Sequence, residues 1–327
     1  MSEFISRRSI SIAAAVAFAF GLPSVSAQSA YPSKPIRIIS PFSAGGTNDL
    51  LARLSGAILE GMGQPVTVEN RLGAGGVIGS NAVATAAPDG HTLLLGSIST
   101  HSIGPTVYSK LPYDIKTAFT PISIVADVPL VLVVHPSVKA QNLKELLALL
   151  KASPDKFNYA TSGAGTIPHM TAELFKTMAK VDVTHVPYKG DSLAMNDLVG
   201  GQVQMMFANL PSAIGFIRQG QLRAVAIGGK TRSPALPDVP TVDEAGVPGF
   251  DVTGWYALFG PGNMPADVVN KISGEIAKAV RQPDYAAKIR NQGAEPVGNT
   301  PAEFRDFIVK DQEKWRKTAA TTGIKLD

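Results

Sequence analysis

Two glycine-rich stretches carry the residue types most able to do chemistry in this chain. They are Pro41-Phe42-Ser43-Ala44-Gly45-Gly46-Thr47-Asn48-Asp49 and Tyr159-Ala160-Thr161-Ser162-Gly163-Ala164-Gly165-Thr166-Ile167-Pro168-His169. Each follows a short apolar run, residues 36–39 and 157–160. Each leads into a helical repeat, Leu50, Leu51, Leu54, Ile58 and Leu59 in the first case and Met170, Leu174, Phe175 and Met178 in the second. A glycine-rich turn between strand and helix leaves backbone N–H groups unpaired at the positive end of the helix dipole. Such a turn can hold a carboxylate or another small anion. One copy is more often a tight turn and nothing else. Two copies, one in each half of the chain and both rich in Ser and Thr, predict two loops facing each other across a cleft.

Bond-making chemistry finds little support. There is no Gly-x-Ser-x-Gly elbow and no His-Glu-x-x-His, and His91, His101, His135, His169 and His185 lack metal-ligand spacing. With 0 Cys, disulfides, thiolate catalysis and cysteine metal sites are excluded. Gly73-Ala74-Gly75-Gly76-Val77-Ile78-Gly79 approaches a dinucleotide fingerprint, but Ile78 stands in place of the third glycine. It reads as a third turn that either lines the cleft or closes its own loop. Gly228-Gly229-Lys230-Thr231 resembles the end of a P-loop, with Ala224 where the first glycine is required. No cofactor or metal is expected. Among single residues, His91 and His135 read as structural, and His169 is balanced between lining a ligand and not. Asp49 reads first as a helix cap. Trp255 and Tyr256 read as hinge or pocket aromatics or, equally, as core. Lys189 and Asp191 read as a solvated turn.

The elements that must position these loops alternate short apolar runs with amphipathic segments, the pattern of an α/β fold. Strands are predicted at 36–40, 66–70, 92–97, 130–135, 158–161, 183–186, 203–207 and 223–227. Helices are predicted at 49–61, 78–87, 142–152, 168–179, 192–199, 212–219, 265–281, 283–292 and 301–322. Pro168, Pro265 and Pro301 stand where helices begin, and Thr300 with Glu303 has the spacing of a capping box. No linker or fixed-period repeat divides the chain. Two extended stretches, 124–132 and 254–260, read as strands crossing between two lobes. The expected division is 28–125 plus 256–327 for one lobe and 126–255 for the other.

Residues 1–27 read as an export signal, with Arg7 and Arg8 before an apolar core at 10–22 and a small-residue cleavage site at Val25-Ser26-Ala27. The core is shorter than the roughly 20 residues a spanning helix needs. Ser6-Arg7-Arg8 leaves the twin-arginine route open beside the general one. A mature, soluble, monomeric periplasmic protein from Gln28 is expected. The net charge of +4 is mild and unclustered, which argues against a nucleic-acid partner.

Several motifs together resemble the Bug-type receptors, the extracytoplasmic solute receptors of tripartite tricarboxylate transporters. They are Tyr31-Pro32-Ser33-Lys34-Pro35-Ile36-Arg37, Pro41 to Asp49, Glu69-Asn70-Arg71-Leu72-Gly73-Ala74-Gly75-Gly76, and Pro88-Asp89-Gly90-His91-Thr92-Leu93. They continue through Thr161 to Thr166, His185-Val186-Pro187-Tyr188-Lys189-Gly190, Asn209-Leu210-Pro211-Ser212-Ala213, Arg232 to Thr241, and Gly293-Ala294-Glu295-Pro296-Val297-Gly298. The resemblance covers essentially all of the mature chain. It implies a two-lobed type II periplasmic-binding-protein fold with two crossing strands, closing on a small carboxylate and delivering it to the transporter's membrane subunits. The site residues it implies are Ser43, Ala44, Gly45, Gly46, Thr47 and Asp49, then Thr161, Ser162, Gly163, Gly165, Thr166 and His169, with Tyr188 and Asn209 from two further loops. The family often carries an acidic residue where this chain has Ala208, which lowers the expectation of an amino-acid ligand. Asp191 stands where glycine is usual. The alternatives are an exported hydrolase or lyase acting on a carboxylate, and the ligand-binding subunit of a sensor.

Overall fold

The computed structural model describes residues 31–153 and 156–326; the expected export signal lies outside the described residues. β1 (Ile36–Ser40) is buried along almost its whole length, as a parallel strand covered on both faces must be. It lies between β2 (Val66–Asn70) and β3 (Thr92–Ser97), parallel to both. β4 (Phe119–Val134) is the longest strand described, and β9 (Thr253–Pro261) lies antiparallel to both β3 and β4. Beyond β4 the sheet continues through β7 (Met205–Asn209), β5 (Asn158–Thr161) and β6 (Thr184–Pro187), the last three mutually parallel. β8 (Arg223–Ile227) and β10 (Glu295–Pro296) also pair with β4.

β4 joins the two halves. Up to Pro129 its neighbours are β9 and, at Ala126 and Asp127, β10; from Leu130 onward they are β7 and β8. The change of partners falls at a proline, which has no N–H to give to a ladder. A second irregularity, at 121–126, is held from outside: Asn299 Oδ1 accepts from the Ile124 amide at 2.7 Å.

The helices are α1 (Thr47–Glu60), α2 (Val77–Ala84), α3 (Gly104–Val107), α4 (Leu143–Ala152), α5 (Ile167–Ala179), α6 (Asp191–Val199), α7 (Leu210–Arg218), α8 (Ala266–Val280), α9 (Pro283–Asn291) and α10 (Pro301–Thr322). α8 shows how the pattern works. Val268, Val269, Ile272, Ile276 and Val280 fall on one face and are buried against Ile36, Ile38 and Leu93 of the sheet. α10 starts with the expected capping box, Thr300 accepting from Glu303 N and Glu303 accepting from Thr300 N. Trp255 takes the core reading: it packs on Phe304 and gives its Nε1–H to Asp311 at 2.9 Å.

The predicted strands and helices are present within a few residues. Three elements were not anticipated: a π-type turn over Ser99–Ile103, the single turn α3, and β10. All are too short for a periodic pattern. No helix of the described residues is long and apolar enough to cross a membrane.

In the half built on β4, β5 and β7, Phe207 is fully buried and stands 5.3 Å from the Phe175 ring and 5.8 Å from that of Phe250. Truncation to Phe207→Ala leaves a cavity there and is expected to cost about 3–5 kcal/mol, read as a lower urea midpoint with unchanged slope.

Candidate functional site

The turn after β1 begins α1 at Thr47 with Gly46 as its N-cap, so Asp49 is not the cap. It braces the loop from within the first helical turn. Its carboxylate accepts from the Gly45 amide at 3.0 Å, from Arg53 at 3.0 Å through both oxygens, and from Asn70 Nδ2 at 3.0 Å. Burial pushes this carboxyl up, but the donors Arg53, Gly45 and Asn70 together outweigh it and hold it below the usual range. Ser43, Gly46 and Thr47 are buried, whereas Ala44 and Gly45 face outward.

The turn after β5 is tied down from behind by histidines. Thr161 Oγ1 lies 2.7 Å from His185 Nε2 and accepts from the Gly163 amide at 3.2 Å. The Gly165 amide donates to His169 Nδ1 at 3.2 Å, and Thr166 Oγ1 donates to the Gly163 carbonyl at 2.6 Å. His169 stacks on His185 at 4.2 Å, and His185 on Tyr159 at 4.9 Å. His169 thus sets the loop's shape through its ring nitrogen. Gly163 has φ +138°, and a Cβ there would lie 3.1 Å from the Tyr188 carbonyl, so this position admits only glycine without strain.

The two turns line one closed cleft, with Phe42, Gly46 and Thr47 of the first and Ser162 of the second on the same cavity. Ser43 Oγ lies 2.7 Å from Ser192 Oγ, which donates to the Ala44 carbonyl at 2.8 Å. The Ile167 amide at the start of α5 donates to Ser99 Oγ at 2.9 Å, and Tyr108 donates to the Ala164 carbonyl at 3.0 Å. The third glycine turn also reaches the cleft: Gly75 Cα lies 3.9 Å from the Cβ position of Gly163. Between the turns remains a cavity of about 10 Å³ walled by Phe42, Thr47, Ser99, Ser162, Asp191 and Tyr256. A wider groove of about 490 Å³, holding Gly229 to Arg232 with Arg218 and Arg290, lies where neither glycine loop reaches.

Asp191 is the main correction to the sequence reading. It is 5 % exposed, not solvated, and opens α6 inside the cleft. Asn209 Nδ2 donates to its two oxygens at 3.0 and 3.2 Å, and the Thr47 amide to Oδ2 at 3.4 Å. Burial pushes its carboxyl above the usual range, with donors on Asn209, Thr47 and Ser162 offsetting part of the rise. Tyr256 takes the pocket reading; burial, then the charge of Asp191, pushes its hydroxyl well up. The Tyr188 hydroxyl donates to Asp197 at 2.6 Å. Lys189 is exposed as expected. His91 accepts from the Ser33 amide, His135 accepts from the Ser137 amide, and His101 stacks on Phe259; all three are structural. Sequence reasoning missed Ser99, Tyr108, His185 and Ser192, none of which sits in a glycine turn.

Residues 52–324 match the family described as "Tripartite tricarboxylate transporter family receptor". The chain is 39% identical to Protein BugT of Bordetella pertussis over 298 residues, 90% of this chain and 91% of that one. It resembles the Rhodopseudomonas palustris protein Rpa4515, solved with adipate, with a TM-score of 0.88 and 34% identity over 90% of this chain and 99% of that one. MatC from the same organism, solved with bound malate, gives a TM-score of 0.84 and 33% identity over 88% and 99%.

The stacked histidines make a pH prediction. Burial lowers the pKa of both, to about 3 for His185, whereas an unfolded histidine titrates near 6.5. Below about 6.5 the unfolded chain therefore binds more protons than the folded one, and stability falls as pH falls. Each histidine contributes a slope of up to about 1.4 kcal/mol per pH unit. Melting curves between pH 5 and 7 are expected to show this slope, reduced by about one proton's worth in His185→Gln. Equal slopes would remove His185 from the account.

Proposed function

The chain belongs to the tripartite tricarboxylate transporter receptor family, the Bug-type solute receptors, and from that premise we propose that it closes around a small carboxylate and hands it to the membrane subunits of such a transporter. It is a receptor and not an enzyme, so the exported-hydrolase reading falls away. The observation that carries the ligand reading is the convergence of two helix starts, those of α1 and α5, on one cleft with buried Thr47, Ser162 and Thr166 beside them. The adipate and malate in the similar structures are both small carboxylates, which supports the same class here.

The residues proposed to face the ligand are Thr47, Ser162 and Asn209, with the backbone of Gly46 and Gly163. Ser43, Asp49, Thr161, Gly165, Thr166 and His169 hold the loops in shape. The moving bodies are 28–125 with 256–327, and 126–255; the exchange of β4 partners at Pro129–Leu130 supports a hinge close to that division. The leader at 1–27 would send the mature chain to the periplasm. Charge-assisted hydrogen bonds are worth roughly 1.5–3 kcal/mol each. After ordering costs, a Kd of about a micromolar or tighter follows, equivalent to about 8 kcal/mol.

A thermal-shift screen of the mature protein against mono-, di- and tricarboxylates, aromatic acids and acidic amino acids is expected to raise Tm with one class. Gly163→Val should abolish that shift while the circular dichroism spectrum stays native. A folded variant that retains affinity would refute the two-loop model.

A further inference from the structure

The closed cleft already holds an acidic group of the chain's own. Every donor to the buried Asp191 carboxylate is neutral: the Asn209 amide, the Thr47 amide and hydroxyl, and Ser162. Beside it the buried Asn209 Oδ1 has no hydrogen-bond partner among the described residues, and the Thr47 hydroxyl, turned to Asp191, keeps its lone pairs free to accept. Thr47 is 0% and Asn209 2% exposed. The carboxylate and the amide oxygen are acceptors, and buried acceptors call for donors. The remaining cavity, about 10 Å³ beside Asp191 and Thr47, has room for one group the size of a water.

An ammonium is that size, carries three N–H donors and brings the positive charge that Asp191 lacks. A carboxylate in the same place would set like charge against like. Ala208, immediately before Asn209, brings no charge; the acidic group at this end of the cleft comes instead from the start of α6.

We propose that Asp191, Asn209 Oδ1 and Thr47 Oγ1 form a subsite for a cationic nitrogen, so that the ligand of this cleft is an amino-carboxylate and not a plain di- or tricarboxylate. This rests on the carboxylate-receptor reading and specifies what must accompany the carboxylate. Asp191 is then a specificity-determining residue that selects ligands by charge.

The test is calorimetric titration of the mature protein, unfolded and refolded to remove any carried ligand. The probes are matched pairs that differ by one amino group: aspartate and succinate, glutamate and glutarate, 2-aminoadipate and adipate, alanine and propionate. The amino member of at least one pair is expected to bind tenfold or more tightly than its counterpart. Asp191→Asn should erase that preference while the fold is kept, and Asp191→Gly serves if the first variant does not fold. If the plain acids bind wild type as well as or better than the amino acids, the subsite is overturned and the carboxylate reading stands. A preference unchanged in the variants also overturns the subsite. Silence from both members of every pair overturns the two together.

Discussion

The structure turns on backbone amides that a helix cannot satisfy for itself. The first turn of every helix leaves N–H groups without an internal acceptor. Here α1 and α5 begin in one cleft that closes off water. Buried amides must find partners, and the loops supply some of them: Thr161 for Gly163, His169 for Gly165 and Ser99 for Ile167. The Thr47 amide finds Asp191 from the opposite half, at the long distance of 3.4 Å. Amides arranged this way are already oriented when an acid arrives, so little ordering cost attaches to the protein side of binding.

The proposed closure would draw on the way the sheet is built. β4 serves both halves and changes neighbours at Pro129, the place where the proposed hinge would lie. Polar contacts across the cleft include Ser43 with Ser192 and Tyr108 with the Ala164 carbonyl. Such contacts offer modest net stabilisation, and in the proposed receptor a ligand that touches both halves would shift the population towards the closed form. The same contacts keep the cleft tight: a Cβ on Gly190 would run into Ser43, so the backbone approach there depends on glycine.

Much of this was legible along the chain, and the reasons are local. The strands around β1 and β5 announce themselves by apolar runs, α8 by its one-sided face, α10 by Thr300 and Glu303, and the loops by glycine with Ser and Thr. Asp49 and Tyr188 show where local reading stops. Each has a side chain fit for ligand binding, yet each is engaged by a neighbour, Arg53 and Asn70 in one case and Asp197 in the other. Nothing about spacing reveals which partner a polar side chain will find.

The sequence by itself determined the α/β alternation, the two glycine turns, the helices that follow them and the family. These depend on periodicity, on capping and on the conformational freedom of glycine, all written within a dozen residues. Only the tertiary structure decided that Asp191 is buried and not solvated, that it lies against Thr47 and Asn209, and that His185 and Ser99 hold loops far from them in sequence. Burial and charge environment are properties of the assembled cleft. Residues 144 positions apart, such as Thr47 and Asp191, acquire them only when the two halves of the chain come together.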